Sequence, residues 1–207
     1  FTAINTTNTP VTATITVTPS FAGCPGIPRT FTITVNPTPD VAQPANQALC
    51  NAAVSNPVTF TGQINGTIYN WTNNNPSIGL AASGTGNIPS FTAINTGSTM
   101  VTANITVTPT AAGCPGTPKS FTIRVNPTPN VVRPADQTLC NNAVTNAVGF
   151  SSSVTGTIFV WTNNNPSIGL AATGNGNIPA FTAVNTGTVP VTATITVTAT
   201  ATGCSGN

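Results

Sequence analysis

Phe1-Thr2-Ala3-Ile4-Asn5-Thr6 returns as Phe91 to Thr96 and, with Val184 in place of Ile94, as Phe181 to Thr186, a spacing of 90 residues. A fixed long period marks an array of one supersecondary or domain-sized unit stacked on its neighbours. The cysteines keep the same period: Cys24, Cys114 and Cys204 are 90 apart, and so are Cys50 and Cys140. The folding problem is therefore one unit of about 90 residues, the size of a small domain.

The apolar residues inside each period alternate. Val101, Ala103, Ile105 and Val107 are interleaved with Thr and Asn, and copies of the run stand at Val11 to Thr18 and Val191 to Thr198. Period two places one set on one face of a strand. Phe121, Ile123 and Val125 alternate with Thr122 and Arg124 in the same way, as do Phe31, Ile33 and Val35 with Thr32 and Thr34. Further strands are predicted at Val58 to Gln63, with Phe60 inward, at Thr67 to Thr72, and at Ile88 to Ile94. Clusters such as Asn73-Asn74-Asn75-Pro76 and Gly84-Thr85-Gly86-Asn87 separate them as turns. Six or seven short strands per period predict an all-β chain built from tandem immunoglobulin-like β-sandwich modules.

Asn36-Pro37-Thr38-Pro39 and Asn126-Pro127-Thr128-Pro129 each follow a strand, and alternating prolines favour an extended, stiff connection. The expected boundaries lie there. Residues 1–36 are then the C-terminal part of a preceding repeat, 37–126 a complete repeat, and 127–207 a repeat lacking its last strand.

Composition excludes whole classes of function. The chain holds two carboxylates, Asp40 and Asp136, four cations, Arg29, Lys119, Arg124 and Arg133, and no histidine or glutamate. Neither carboxylate recurs in the next period, where Asp40 becomes Asn130 and Asp136 replaces Asn46. General acid-base catalysis needs a titratable group within reach of the reacting atoms, so no catalytic site is expected, and no cofactor or metal site either. Four dispersed cations make no nucleic-acid stripe. No run approaches the roughly 20 apolar residues that span a bilayer, so no membrane insertion is expected within this segment.

Two cysteine pairings fit the spacing: Cys50 with Cys114 and Cys140 with Cys204, or Cys24 with Cys50 and Cys114 with Cys140. The first is preferred, because the strand after Cys114 carries the chain a unit's length before Cys140 is reached, and bridged Cα atoms lie within about 7 Å. Cys24 then pairs outside the sequence. Such a bridge contributes about 4 kcal/mol in the chain-entropy model and implies export to an oxidising compartment.

Trp71 and Trp161 occupy the same place in two periods, beside Tyr69 and Phe159. A tryptophan on the third strand is the usual pin of an immunoglobulin-like core, so Trp71, Trp161, Phe60 and Phe150 are expected inside. The alternative is a sugar-stacking ring with the amides of Asn73, Asn74 and Asn75 beside it, which makes polysaccharide binding the second functional reading.

The phrases Phe-Thr-Ile-Thr-Val-Asn-Pro-Thr-Pro (31–39, and 121–129 with Arg124), Gly23-Cys24-Pro25-Gly26 and Trp71-Thr72-Asn73-Asn74-Asn75-Pro76-Ser77-Ile78-Gly79-Leu80 run through the whole chain. In them the chain resembles the tandem repeats of giant gliding-motility surface adhesins of Bacteroidota. The resemblance implies PKD-like, immunoglobulin-like modules forming a filament that acts as an extended spacer in adhesion and gliding motility. It also implies type IX export, an extracellular location attached to the outer membrane through the parent protein, and contact with a substratum or polysaccharide. Neighbouring repeats of the same chain are the nearest partners. The aspartate-rich phrase of typical PKD domains is replaced here by Trp71-Thr72-Asn73-Asn74, which removes the basis for a calcium role.

Overall fold

The structure, a computed structural model, describes residues 1–206. Its elements are nearly all strands. The first region is a hairpin of β1 (Val11–Val17), β2 (Ser20–Phe21), β3 (Cys24–Pro25) and β4 (Arg29–Val35). Then come β5 (Gln47–Cys50), β6 (Ile68–Asn73), β7 (Ser83–Thr85), β8 (Val101–Ala111), β9 (Cys114–Pro115) and β10 (Lys119–Asn126). The last region holds β11 (Ile158–Asn163), β12 (Thr173–Asn175), β13 (Ile195–Ala201) and β14 (Cys204–Ser205). Single 3-10 turns at Pro76–Ile78 and Pro166–Ile168 are the only helical pieces among the described residues.

The middle sheet has the order β5-β10-β8-β6-β7, with β9 pairing β8. β8 is the spine, because it pairs antiparallel with β10 along its first half and with β6 along its second. Its alternation is answered by burial: Ala103, Ile105 and Val107 are inward, as are Phe121, Ile123 and Val125 of β10. A second layer closes over this face and contributes Val58, Phe60, Ile78, Leu80, Ile88 and Ala93 to the same core.

That second layer departs from the sequence reading. The expected strands Val58 to Gln63 and Ile88 to Ile94 are reduced to isolated bridges, Val58 with Ile88 and Val54 with Thr92. Pro57 and Pro89 have no N–H to give a ladder. Side chains take the vacated places: Phe60 N donates to Asn87 Oδ1 at 2.9 Å, and Phe91 N donates to Ser55 Oγ at 3.0 Å. Conversely, Gln47–Cys50 is a strand that sequence reading missed, and it runs parallel to β10 with Cys50 opposite Asn126.

The last sheet, ordered β12-β11-β13-β14, repeats the β7-β6-β8-β9 path at the sequence period. The strand expected from Val191 begins only at Ile195. In the middle sheet the equivalent stretch, Val101 to Asn104, pairs with β10 alone. Nothing corresponding to β10 follows β13 among the described residues, so those four positions have no ladder to join. In the middle sheet β10 is an interior strand, seated between β5 and β8. No helix here is long and apolar enough to cross a membrane.

Candidate functional site: the joint at Cys50 and Cys204

The parallel pairing of β5 with β10 carries Cys50 to the C-terminal end of β10, where Asn51 N donates to Asn126 O at 2.9 Å. The proline-rich connection 127–129 leaves from the same end. Facing it is the tip of the β13–β14 hairpin, turned through Thr202 and Gly203, both at positive φ (49° and 79°). Cys50 and Cys204 are joined there by a disulfide, with Cα atoms 5.6 Å apart.

Polar contacts complete the joint. Asn126 Nδ2 donates to Thr202 O at 3.5 Å, and Asn51 Nδ2 donates to Thr128 Oγ1 at 3.1 Å. Pro129 is fully buried, and a Cβ added to Gly206 would overlap Pro129 O, so the hairpin lies directly on the connection. Glycine is used here for close backbone approach. The bridge encloses a sequence separation of 154 residues, worth about 5 kcal/mol on the chain-entropy relation.

The same joint exists a second time, 90 residues earlier. Asn36 Nδ2 donates to Ala112 O at 3.4 Å, Pro39 is fully buried, and a Cβ on Gly116 would overlap Pro39 O. Ala112 and Gly113 turn this tip at φ 46° and 78°. It holds no bridge: Cys114 is half-buried with a free thiol, and Cys24 and Cys140 are exposed and free.

These positions correct the pairing expected from the sequence. Cys204 is taken by Cys50, which leaves Cys140 free, and Cys114 lies too far from Cys50 to pair with it. β10 runs from Lys119, near the Cys114 tip, to Asn126, opposite Cys50, and eight residues of strand put more than 20 Å between the two ends. The bridge joins two sheets instead of closing one. The sequence places the cysteines in register every period, but the direction of β5 decides which end of the sheet each one occupies. Asn36, Asn126, Gly116 and Gly206, absent from the expected site, carried a signal in the recurring Asn-Pro and in Cys-Pro-Gly or Cys-Ser-Gly.

The tryptophans and asparagines lie elsewhere. Trp71 and Trp161 are buried, each ring lying against the backbone of a glycine, Gly84 or Gly174, where a Cβ would overlap it. Their indole N–H groups have no hydrogen-bond partner. Phe60 is buried and packs near Tyr69, while Phe150, expected in the core, is half-buried and packs against the core of the last sheet. Asn73 is buried, donating to Leu80 O and Ala81 O and accepting from Asn75 N. Asn74 Oδ1 accepts from Asn104 N at 2.7 Å, and Asn75 Oδ1 accepts from Ser77 Oγ at 2.6 Å. The triplet thus spends these amides on tying the 3-10 turn to β8 and to the segment after it.

Residues 47–129 match the family model of the PKD-like domain. That stretch opens on β5 and closes on the connection after β10, and so takes in the whole middle sheet. No curated protein sequence matches the chain. Among solved structures, the chain is similar to the two immunoglobulin domains of DIP-gamma, at 8% identity and a TM-score of 0.45, covering 81% of this chain and 92% of that one. It is also similar to cadherin domains 1–4 of protocadherin gamma B7, at 14% identity and a TM-score of 0.38, covering 96% of this chain and 57% of that one. Mouse cadherin-23 domains EC22–24 give 13% identity, a TM-score of 0.34, and cover 94% of this chain and 71% of that one.

Proposed function

We propose that this chain is a stretch of tandem PKD-like, immunoglobulin-like repeats that serves as a structural spacer on the outside of a cell. PKD-like and immunoglobulin-like domains typically serve as extracellular structural or adhesion modules. The observation that carries the reading is the joint. In two connections one period apart, 37–39 and 127–129, the prolines are buried under a hairpin tip with the same asparagine and glycine contacts. A buried connection fixes one unit on the next, which suits transmission of force more than independent movement of beads.

On this reading the units are 37–126 and 127–207, with 1–36 closing a unit before them. The chain is the shaft of a SprB-like adhesin filament, held at the outer membrane through its parent and reaching a substratum or polysaccharide through parts beyond it. The low charge, 3% of residues, leaves such a surface nearly indifferent to salt. Small-angle scattering tests the spacer: an elongated particle, unchanged with concentration, is expected, and a compact profile would overturn it. Polysaccharide binding by the repeats themselves has less to rest on, since the tryptophans are inside and the Asn73–Asn75 amides described above are engaged.

A further inference from the structure

The observed bridge and the sequence period together say more than that two sheets are clipped. Call Cys50, the last residue of β5, and Cys140, its equivalent one period on, pole cysteines, and Cys24, Cys114 and Cys204 tip cysteines, since each follows a hairpin turn. The one bridge runs from a pole to the tip 154 residues on, in the following unit. Translated by one period, that rule accounts for all three free thiols. Cys140 is a pole awaiting the tip of a following repeat, and Cys114 and Cys24 are tips awaiting poles of preceding ones. The joint at Ala112 already shares with the bridged joint the asparagine contact, the buried proline and the close-packed glycine.

We propose that the repeats are joined pole to tip by a staggered ladder of disulfides, with Cys140 the attachment site for the tip cysteine of the next repeat, and that this ladder makes the array inextensible. This rests on the array reading above. Each closure removes one proton from each of two thiols and passes two electrons to an external disulfide of the oxidising compartment, such as oxidised glutathione, which leaves as two thiols.

Inextensibility follows from counting covalent bonds. From a tip the backbone runs 26 residues to the next pole (50 − 24, or 140 − 114), and the bridge there leaps to the tip after next. In a continuous ladder the shortest covalent path therefore advances two repeats for every 26 residues. Drawn taut at about 3.5 Å per residue those residues span about 90 Å. Two folded units, with spines of eleven residues like β8, measure about 75 Å at ~3.4 Å per residue. Unfolding under load thus lengthens an oxidised pair by only about 20 Å, where a reduced pair gains more than 500 Å.

The test takes the full chain and the same chain carried on by one more period, residues 117–206 repeated after Gly206, each oxidised with glutathione, alkylated and mapped by peptide mass. The full chain is expected to show Cys50 joined to Cys204 and label on Cys24, Cys114 and Cys140. In the longer chain Cys140 is expected to lose its label and appear bridged to the added tip cysteine. Label retained on Cys140 in the longer chain, or bridges within one repeat such as Cys50 to Cys114, would overturn the ladder. A mechanical readout accompanies it: pulled from its ends, the oxidised longer chain should have a taut length about 90 Å shorter than its Cys140→Ser variant, and equal lengths would also overturn it. Elongated scattering with Cys140 unbridged removes the ladder and leaves the spacer standing, whereas compact scattering removes the spacer itself.

Discussion

Residues 11–36 and 101–126 are nearly the same sequence folded into the same hairpin, yet one is surface and the other core. Phe121 is 2% exposed and Phe31 52%; Ile105 is fully buried and Ile15 38% exposed. Both hairpins have the register that sets Ile opposite Phe, Ile15 with Phe31 and Ile105 with Phe121. What the first lacks is company: β10 and β8 are flanked by β5 and β6 and roofed by the Val58–Ile88 layer, while β4 and β1 pair only with each other. Local pairing is therefore enough to shape the hairpin, and its burial comes from segments outside it, β5, β6 and the layer that holds Val58 and Ile88. The last region sits between these cases, with β6- and β7-type partners but no β10-type strand among the described residues, and Ile195 is half-buried.

The contrast predicts unequal costs for equal substitutions. Phe121→Ala should destabilise the middle sheet by about 3–5 kcal/mol in a urea titration, through lost transfer energy and an unfilled cavity. Phe31→Ala should cost no more than about 0.5 kcal/mol. Comparable losses at the two sites would mean that the hairpin is covered in solution.

At the joint, Gly116→Ala should cost about 1–3 kcal/mol and raise the labelling rate of Cys114, because the new methyl meets Pro39 O. Gly26→Ala meets first the ring of Pro19, a side chain able to shift, and should be milder. An insensitive Cys114 would mean that the tip does not rest on the connection.

Asn5 and Asn95 make the same local bonds, to Thr9 O and Thr99 O, and reach across to Val35 O and Val125 O. Only Asn95 is buried. Asn95→Ala strands carbonyls away from water and should cost about 1–3 kcal/mol, while Asn5→Ala, whose partners can turn to solvent, should cost a few tenths. Thermal melts of the two variants check it, and equal shifts would contradict the assignment of burial as the cause.

The smallest effect is alkaline. Burial, and then the neighbouring Asp40 carboxylate, raise the Tyr69 phenol above its usual 10.0. A raised value means that the folded state holds the neutral phenol better than the unfolded chain does. The stability this contributes is complete below pH 10 and disappears as pH climbs through the raised value. The last region carries Phe159 at that place and should show no such loss. Tyr69→Phe should leave neutral stability nearly unchanged and remove the alkaline decline of the middle sheet, as followed by hydrogen exchange; a decline that survives the substitution has another source.

Much of this was legible in the residues. The alternation of Val101 to Val107 and Phe121 to Val125 marks β8 and β10, and those faces are buried as the pattern requires. Less legible was the second layer, where Asn87 and Ser55 side chains stand in for backbone that Pro57 and Pro89 interrupt. Least legible was β5, whose Gln47-Ala48-Leu49-Cys50 carries no alternation and forms only because β10 offers a free parallel edge.

The residues alone set the period, the alternation of the strand faces, the lack of histidine and glutamate, and the even spacing of the cysteines. Which cysteine meets which follows only from the folded arrangement, because a bridge depends on the end of the sheet at which each sulfur lies, and that end is set by the parallel course of β5 along β10. Periodicity repeats a position along the chain, but only the direction of a strand in space assigns it to one pole or the other.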